Sequence, residues 1–374
     1  MSRRPKTVTW SADPHTIAKI QIVAGYAERW ATILGQGPSG PLTYIDGFAG
    51  PGEYTNHPIG SPIAAIRAIL RAKLAVGQRW RVTKVHMLFI EEDRRRCNHL
   101  EKLVQSEVSS AEAQSLVVEC LNCAFEAGVW RSSSPFTKAL TTSAPLLAFV
   151  DPFGAKDVSF ESVERLLSSR TSELIINFST SGFARNYKSG NHALLDIAFG
   201  TKDWRSRLTP TMSHGQLCQA ALDLYKDQLL AIPNVGYVFA FGMASRSSIP
   251  DFFLVFASQH PRGLVEMKGV MRKLDQQGDF QFHDARVMQP GLFKFNHPED
   301  WIPVIVNHFL GRTVGLEEIE RFILNETPLA SFKKDILAPA EAEGRLSVRS
   351  KLPRKRGAFN QADMLIEFRG YDHA

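Results

Sequence analysis

The stretch Tyr44-Ile45-Asp46-Gly47-Phe48-Ala49-Gly50-Pro51-Gly52 decides how this chain is read. Leu42 to Ile45 is a short apolar run, and Asp46 to Gly52 holds too much glycine to prolong a strand or begin a helix. A strand therefore runs into a tight turn headed by a carboxylate. Gly50 and Gly52 let the backbone bend and approach a bound group with no Cβ in the way. Asp46 is suited to accept hydrogen bonds from an ammonium, which a phosphate-cradling loop has no use for. The Gly-Lys-Ser/Thr ending of a nucleotide-triphosphate loop is also missing. Taken alone, D-G and P-G pairs are ordinary turn formers.

Working outward, Ile17, Ile20, Val23, Tyr26, Trp30 and Ile33 recur at three- and four-residue steps behind Asp13-Pro14, the pattern of one amphipathic helix. Downstream, Gly60-Ser61-Pro62 opens a helix through Ile63, Ile66, Ile69 and Leu70. Val85 to Ile90 reads as a second strand that stops at Glu91-Glu92-Asp93 before a charged helix, Arg94 to Val104. Val117-Val118 begins a third strand, Leu146 to Val150 is a fourth and Leu174 to Phe178 a fifth. The aromatic-rich runs Val235 to Phe241 and Phe252 to Ala257 read as an antiparallel pair at one sheet edge. Apolar strands alternating with helices predict a doubly wound α/β fold, its sheet mostly parallel and covered on both faces, with ligands at the strands' carboxyl ends.

From Val314 the texture changes. A helix (Leu316 to Leu324), a Thr327-Pro328 break, a second helix (Ser331 to Glu343) and a hairpin built from Gly344 to Val348 and Met364 to Phe368 predict a winged-helix-like appendage. The expected organisation is an N-terminal helical segment (1–40), the α/β domain (41–313) and the appendage (314–374).

Composition agrees with a packed protein. Of 374 residues 44% are hydrophobic and 22% charged, with 24 Phe, which excludes a disordered, collagen-like or coiled-coil chain. Lys and Arg exceed Asp and Glu by 44 − 38 = 6, a mildly basic balance. No stretch approaches the ~18 apolar residues of a bilayer span, and Met1 to Lys6 leads into no apolar signal core. A cytoplasmic protein without membrane partners is expected. Cys97, Cys120, Cys123 and Cys218 read as reduced thiols. Cys120 and Cys123 have C-x-x-C spacing but lack two further ligands nearby, and the histidines form no tight cluster, so no metal site is expected.

Two more strand ends carry chemistry. Glu91 stands where a carboxylate can accept both hydroxyls of a ribose; Glu92 and Asp93 are better read as carboxylates at a helix N-terminus. In Phe149-Val150-Asp151-Pro152-Phe153-Gly154, Asp151 and the Pro152 carbonyl can accept hydrogen bonds from a substrate amino group while Phe153 stacks on a flat base. Lone D-P pairs are otherwise turns.

With these strings in order, the chain resembles the class I S-adenosylmethionine-dependent methyltransferases, and more closely the three-Cys-motif partner protein family. The likeness rests on Tyr44 to Gly52, Gly60-Ser61-Pro62, Phe89-Ile90-Glu91, Phe149 to Gly154, Ile176-Asn177-Phe178, His260-Pro261-Arg262-Gly263-Leu264 and Met267-Lys268, and runs from about His15 to Pro290. It implies a seven-strand Rossmann-like methyltransferase sheet and S-adenosylmethionine as cofactor. By the same resemblance Asp46, Phe48, Ala49, Gly50 and Gly52 line its methionine part and Glu91 its ribose. Asp151, Pro152 and Phe153 face the methyl acceptor, as in amino-methylating enzymes with a D-P-P-F/Y motif. Two departures stand out: the second proline is missing, and Cys123 or Ala124 replaces the acidic residue that relatives place near the adenine. The family is named for a genomic neighbour with a three-cysteine, radical-type cluster motif, which is the protein partner implied.

On the proposed wing, Arg349, Lys351, Arg354, Lys355 and Arg356 follow Arg345, a run able to track a phosphate backbone, to meet an acidic protein surface or simply to be solvated. Trp204 and Trp301 read as packing residues. The expected function is methyl transfer from S-adenosylmethionine to an amino group of a nucleobase or other planar acceptor, free or within nucleic acid. The alternatives are a non-catalytic S-adenosylmethionine-binding partner subunit of a radical-type three-cysteine-motif protein, and a ligand-sensing nucleic-acid-binding regulator.

Overall fold

The computed structural model describes residues 7–109, 111–130, 144–169, 171–245, 250–275, 280–284 and 297–369. Helix α1 (Pro14–Leu34) turns its periodic apolar face inward, burying Ile20, Val23, Tyr26 and Trp30. Strand β1 (Gly40–Asp46) then enters the glycine turn, and α2 (Ser61–Val76), with proline in its first turn, returns the chain to β2 (Val82–Ile90). Asp93 caps α3 (Arg94–Glu107) by accepting the Arg95 N–H, the helix-terminal role its position suggests. There follow β3 (Leu116–Leu121), α4 (Phe125–Trp130), β4 (Leu146–Val150) and β5 (Ser172–Phe178). The edge is made by β6 (Tyr237–Ala244), β7 (Phe252–Ser258) and β8 (Gln281–His283).

These strands form one sheet in the order β3-β2-β1-β4-β5-β7-β6-β8, parallel except for β7, which runs against both of its neighbours. The doubly wound, mostly parallel sheet is therefore present with one correction: it has eight strands among the described residues, not seven. The added strand, β8, pairs with β6 through three residues, Gln281, Phe282 and His283, too short a run to leave a periodic signal. From β1 the chain moves outward to β2 and β3, then comes back to lay β4 on the other flank of β1. The reversal opens the crevice between β1 and β4, where Asp46 lies opposite Phe149 in register and so close to Asp151.

One face of the sheet buries Tyr26, Trp30, Ile66, Phe89 and Met267, the other Phe160, Leu166, Phe183, Trp204 and Tyr225. A third core belongs to the C-terminal unit, where β9 (Thr313–Gly315), β10 (Leu346–Arg349) and β11 (Leu365–Phe368) form an antiparallel sheet in the order β10-β11-β9. The hairpin read from the sequence is there, with Leu346 opposite Phe368. Ile302, Ile305 and Val306, from the helix Ile302–His308, pack into this core, which thus begins upstream of residue 314.

The helix Leu316–Glu326 fastens this unit to the large sheet. Asn325 Oδ1 accepts the Val238 N–H at 2.8 Å and its amide donates to the Gly236 carbonyl at 3.1 Å. The buried Lys268 Nζ donates to the Thr327 and Leu329 carbonyls at 2.6 and 2.9 Å, closing the helix's carboxyl end. No described helix is long and apolar enough to cross a membrane.

Candidate active site

Asp46 ends β1 in full burial. Its Oδ1 accepts the Phe48 N–H at 3.2 Å; the Ser61 hydroxyl stands beside the carboxylate, yet Oδ2 is buried without a hydrogen bond of normal geometry. Burial raises its pKa from 3.8 to about 7; the Ser61 hydroxyl and Phe48 N–H oppose the rise, and the Asp151 and Glu91 carboxylates add to it. A buried acceptor without a donor is costly, and it is what a site built for a cationic ligand offers.

The turn after Asp46 is stitched to its neighbours: Gly47 N–H donates to the Phe149 carbonyl at 2.8 Å, and Ala49 N–H to the Ile90 carbonyl at 2.9 Å. Gly50 and Gly52 have φ of +64° and +85°, a region other L-residues rarely adopt. A Cβ on Gly47 would lie 2.6 Å from the Phe125 ring, so that glycine also lets the loop lie against α4.

Beside this turn is a cavity of about 400 Å³ lined by Phe48, Glu91, Cys123, Ala124, Phe125 and Phe153, with Arg96 and Lys156 also on its wall. Of the residues expected to bind cofactor, Phe48, Glu91, Cys123 and Ala124 line it, whereas Asp46, Ala49, Gly50 and Gly52 form the turn next to it. Phe48 and Phe125 stack at 5.3 Å between centroids. Glu91, nearly buried, accepts the Asp93 N–H at 2.7 Å, and burial raises its pKa against the pull of that N–H, Arg96 and the Gly50 N–H. Burial likewise pushes the Cys120 thiol to about 12. The described residues offer no group of three His, Cys, Asp or Glu able to hold a metal.

The trio expected to face the acceptor is split. Phe153 lines the cavity that Glu91 lines, Pro152 borders a separate small void with Asn177 and Ser179, and Asp151 lines neither. Asp151 is instead gripped from two sides: Lys19 Nζ donates to Oδ2 and Asn177 Nδ2 to Oδ1, each at 2.6 Å. The remaining atom of that amide, Asn177 Oδ1, is buried without a partner. Sequence reasoning missed Lys19, Asn177 and Phe125 as site residues. Lys19 did leave a signal, a charge four residues before Val23 and seven before Tyr26 on the buried stripe of α1.

The N-terminal segment closes over the loop beyond the turn. Trp10 meets the Tyr54 ring edge-on at 5.4 Å, its carbonyl accepts the Thr55 N–H, and Ala12 exchanges two hydrogen bonds with the Asn56 side chain. The Arg96 guanidinium lies 4.8 Å from the Trp10 ring centre.

The five basic residues expected to bind nucleic acid have different surroundings. Arg354 pairs with the Glu341 carboxylate in a nearly buried contact, and Arg356 donates to the Glu341 carbonyl at 2.7 Å. Arg349 reaches toward Glu367 at 3.7 Å yet stays exposed, as do Lys351 and Lys355.

Comparison with protein families finds no match, and comparison with curated proteins finds none. Among solved structures, the chain is similar to Trm1 from Pyrococcus horikoshii in complex with S-adenosyl-L-methionine, at 9% identity over 98% of this chain and 93% of that one, TM-score 0.40. It is similar to spermidine synthase from Thermotoga maritima at 10% identity over 76% and 73%, TM-score 0.29. Similarity to a putative caffeoyl-CoA O-methyltransferase from Staphylococcus aureus is 10% over 62% and 82%, TM-score 0.28.

Proposed function

We propose that this chain is an S-adenosylmethionine-dependent methyltransferase acting on an amino group of a nucleobase or other planar acceptor. The observation that carries the reading is the partnerless buried oxygen of Asp46, at the head of a glycine turn whose neighbouring cavity is walled by a carboxylate and aromatic rings. The residues fit the cofactor: Asp46 Oδ2 is an acceptor for its ammonium, Glu91 for its ribose hydroxyls, and Phe48 and Phe125 supply aromatic wall for a flat base. A cavity of about 400 Å³ falls within the ~300–1,000 Å³ of small-molecule sites. When bound, S-adenosylmethionine supplies a methyl group already activated on sulfur.

What remains for the protein is alignment and charge. Asp151, held by Lys19 and Asn177, keeps lone pairs with which to orient an acceptor N–H and to favour charge developing on the nitrogen. Phe153, substantially exposed, offers a ring face to a planar group. Calorimetric titration with S-adenosylmethionine tests the assignment: binding by the wild type and its loss in Asp46→Ala are expected, and no binding by the wild type overturns it. Asp151→Ala is expected to keep cofactor binding and lose methyl transfer to nucleic acid.

In this reading Arg349, Lys351 and Lys355 contact nucleic acid from a winged-helix-like unit. A second reading is favoured by the absence of a carboxylate at Cys123 and Ala124: a cofactor-binding subunit that serves a radical-type three-cysteine-motif protein without turnover of its own. Steady incorporation of labelled methyl by the isolated chain would exclude it.

A further inference from the structure

We propose that Lys19 decides which acceptors the site takes: its ammonium occupies the place at Asp151 that a cationic amine would need, so the site admits neutral N–H groups and rejects alkylammonium ions. Lysine is almost never buried unless paired, and Lys19 is 7% exposed. Its counter-charge is Asp151 Oδ2, 2.6 Å away on a segment 132 residues further along the chain.

The ammonium is held in place rather than draped there. Lys19 Nζ lies 5.2 Å from the centre of the Phe252 ring, and His15, one helical turn earlier, meets the same ring at 5.3 Å. His15 Nδ1 is in turn 2.8 Å from Asp284 Oδ2, so α1 is anchored at two successive turns of one face. With Asn177 on Oδ1, each Asp151 oxygen has one donor and retains a further lone pair. That is enough for the N–H of a neutral planar group. A second ammonium would instead have to sit beside the first, and like charges at such separations repel strongly away from bulk water.

The electrostatic setting gives this pairing its consequence. Asp151 interacts with Asp46, as does Glu91, so the crevice gathers three carboxylates. Arg96 stands against Glu91, so Lys19 is what offsets Asp151; left uncompensated, Asp151 beside Asp46 would draw small cations. Paired with Lys19, the Asp151 carboxylate belongs to an ion pair without net charge and serves as a directional acceptor. Lys19 is in this sense a positioning residue, and the inference rests on the reading that Asp151 faces the acceptor.

The test is a calorimetric titration of the full chain with 1,4-diaminobutane, a dication with no planar group. Wild type and Lys19→Arg are expected to bind it weakly, Lys19→Met at least tenfold more tightly, and the double variant Lys19→Met/Asp151→Asn to lose that gain. Should Lys19→Met not fold, Lys19→Gln is titrated and read by the same outcomes. A wild type that binds the diamine as tightly as the variant, or a folded variant that gains nothing, overturns the proposal. Parallel titration with S-adenosylmethionine keeps the two readings apart. Failure of the wild type to bind it defeats the cofactor assignment and leaves the diamine result standing, whereas a variant that binds it yet gains no diamine affinity defeats only the role of Lys19.

Discussion

At Asp46 a carboxylate is kept from water with one oxygen unsatisfied, and its titration should be visible in the whole protein. In the fold it holds its proton up to about pH 7, whereas unfolded it releases it near 3.8. Between those values the folded state binds more protons than the unfolded one, so stability falls as pH rises through the window, by at most about 4 kcal/mol. Asp46→Asn should flatten the dependence of Tm on pH over that range and raise the Tm of the ligand-free protein above neutrality. Thermal melts across the window check it; an unchanged slope would mean that Asp46 is hydrated. Affinity for a cationic ligand should run the other way, rising with pH through about 7 as the carboxylate ionises. Asp46 and Glu91 were legible in the sequence because each ends an apolar run at a turn. The contacts of Lys19 and Asn177 with Asp151 were not: a charge on the buried stripe of α1 and an asparagine at the end of β5 mark the positions, but nothing local names their partner.

Among the elements, the turn between β1 and α2 is the least tolerant of change. A Cβ on Gly60 would sit 2.7 Å from the Gly52 carbonyl carbon, whose own oxygen accepts the Gly60 N–H at 2.6 Å. Backbone cannot swing aside, so Gly60→Ala should cost about 2–4 kcal/mol in denaturant unfolding and abolish cofactor binding. Gly154, three residues after Asp151, is extended with open space around it, and Gly154→Ala should stay within about 0.5 kcal/mol. The two glycines look alike in sequence; what separates them is a second backbone at van der Waals distance. The C-terminal unit teaches the same lesson through charge. Arg354 faces Glu341 from another element, so Arg354→Ala should destabilise the C-terminal unit by about 3–5 kcal/mol, the usual result of stripping one partner from a nearly buried pair. On the proposed nucleic-acid contact, Lys351→Ala with Lys355→Ala should leave Tm unchanged and reduce the salt dependence of duplex binding by about two ions, measured by fluorescence anisotropy.

For the molecule as a whole, the large sheet and its two faces were readable from alternating apolar strands and helices, because burial on both sides writes itself into composition. The join to the C-terminal unit was not, since it depends on single polar side chains such as Asn325 and Lys268 whose partners are main-chain atoms. Asn325→Ala strips the edge of β6 of two hydrogen bonds and should let the C-terminal unit open early, seen as faster protease cleavage near residue 300 with the large domain intact. The same long-range economy governs α1. Its Lys19 meets Asp151 and the Phe252 ring, both supplied far later in the chain. During synthesis at about 5–20 residues per second, that helix leaves the ribosome on the order of 10–50 s before its last partner exists. For that interval Lys19 has neither its counter-charge nor its ring, and the nascent chain is a natural client for whatever shields unfinished proteins.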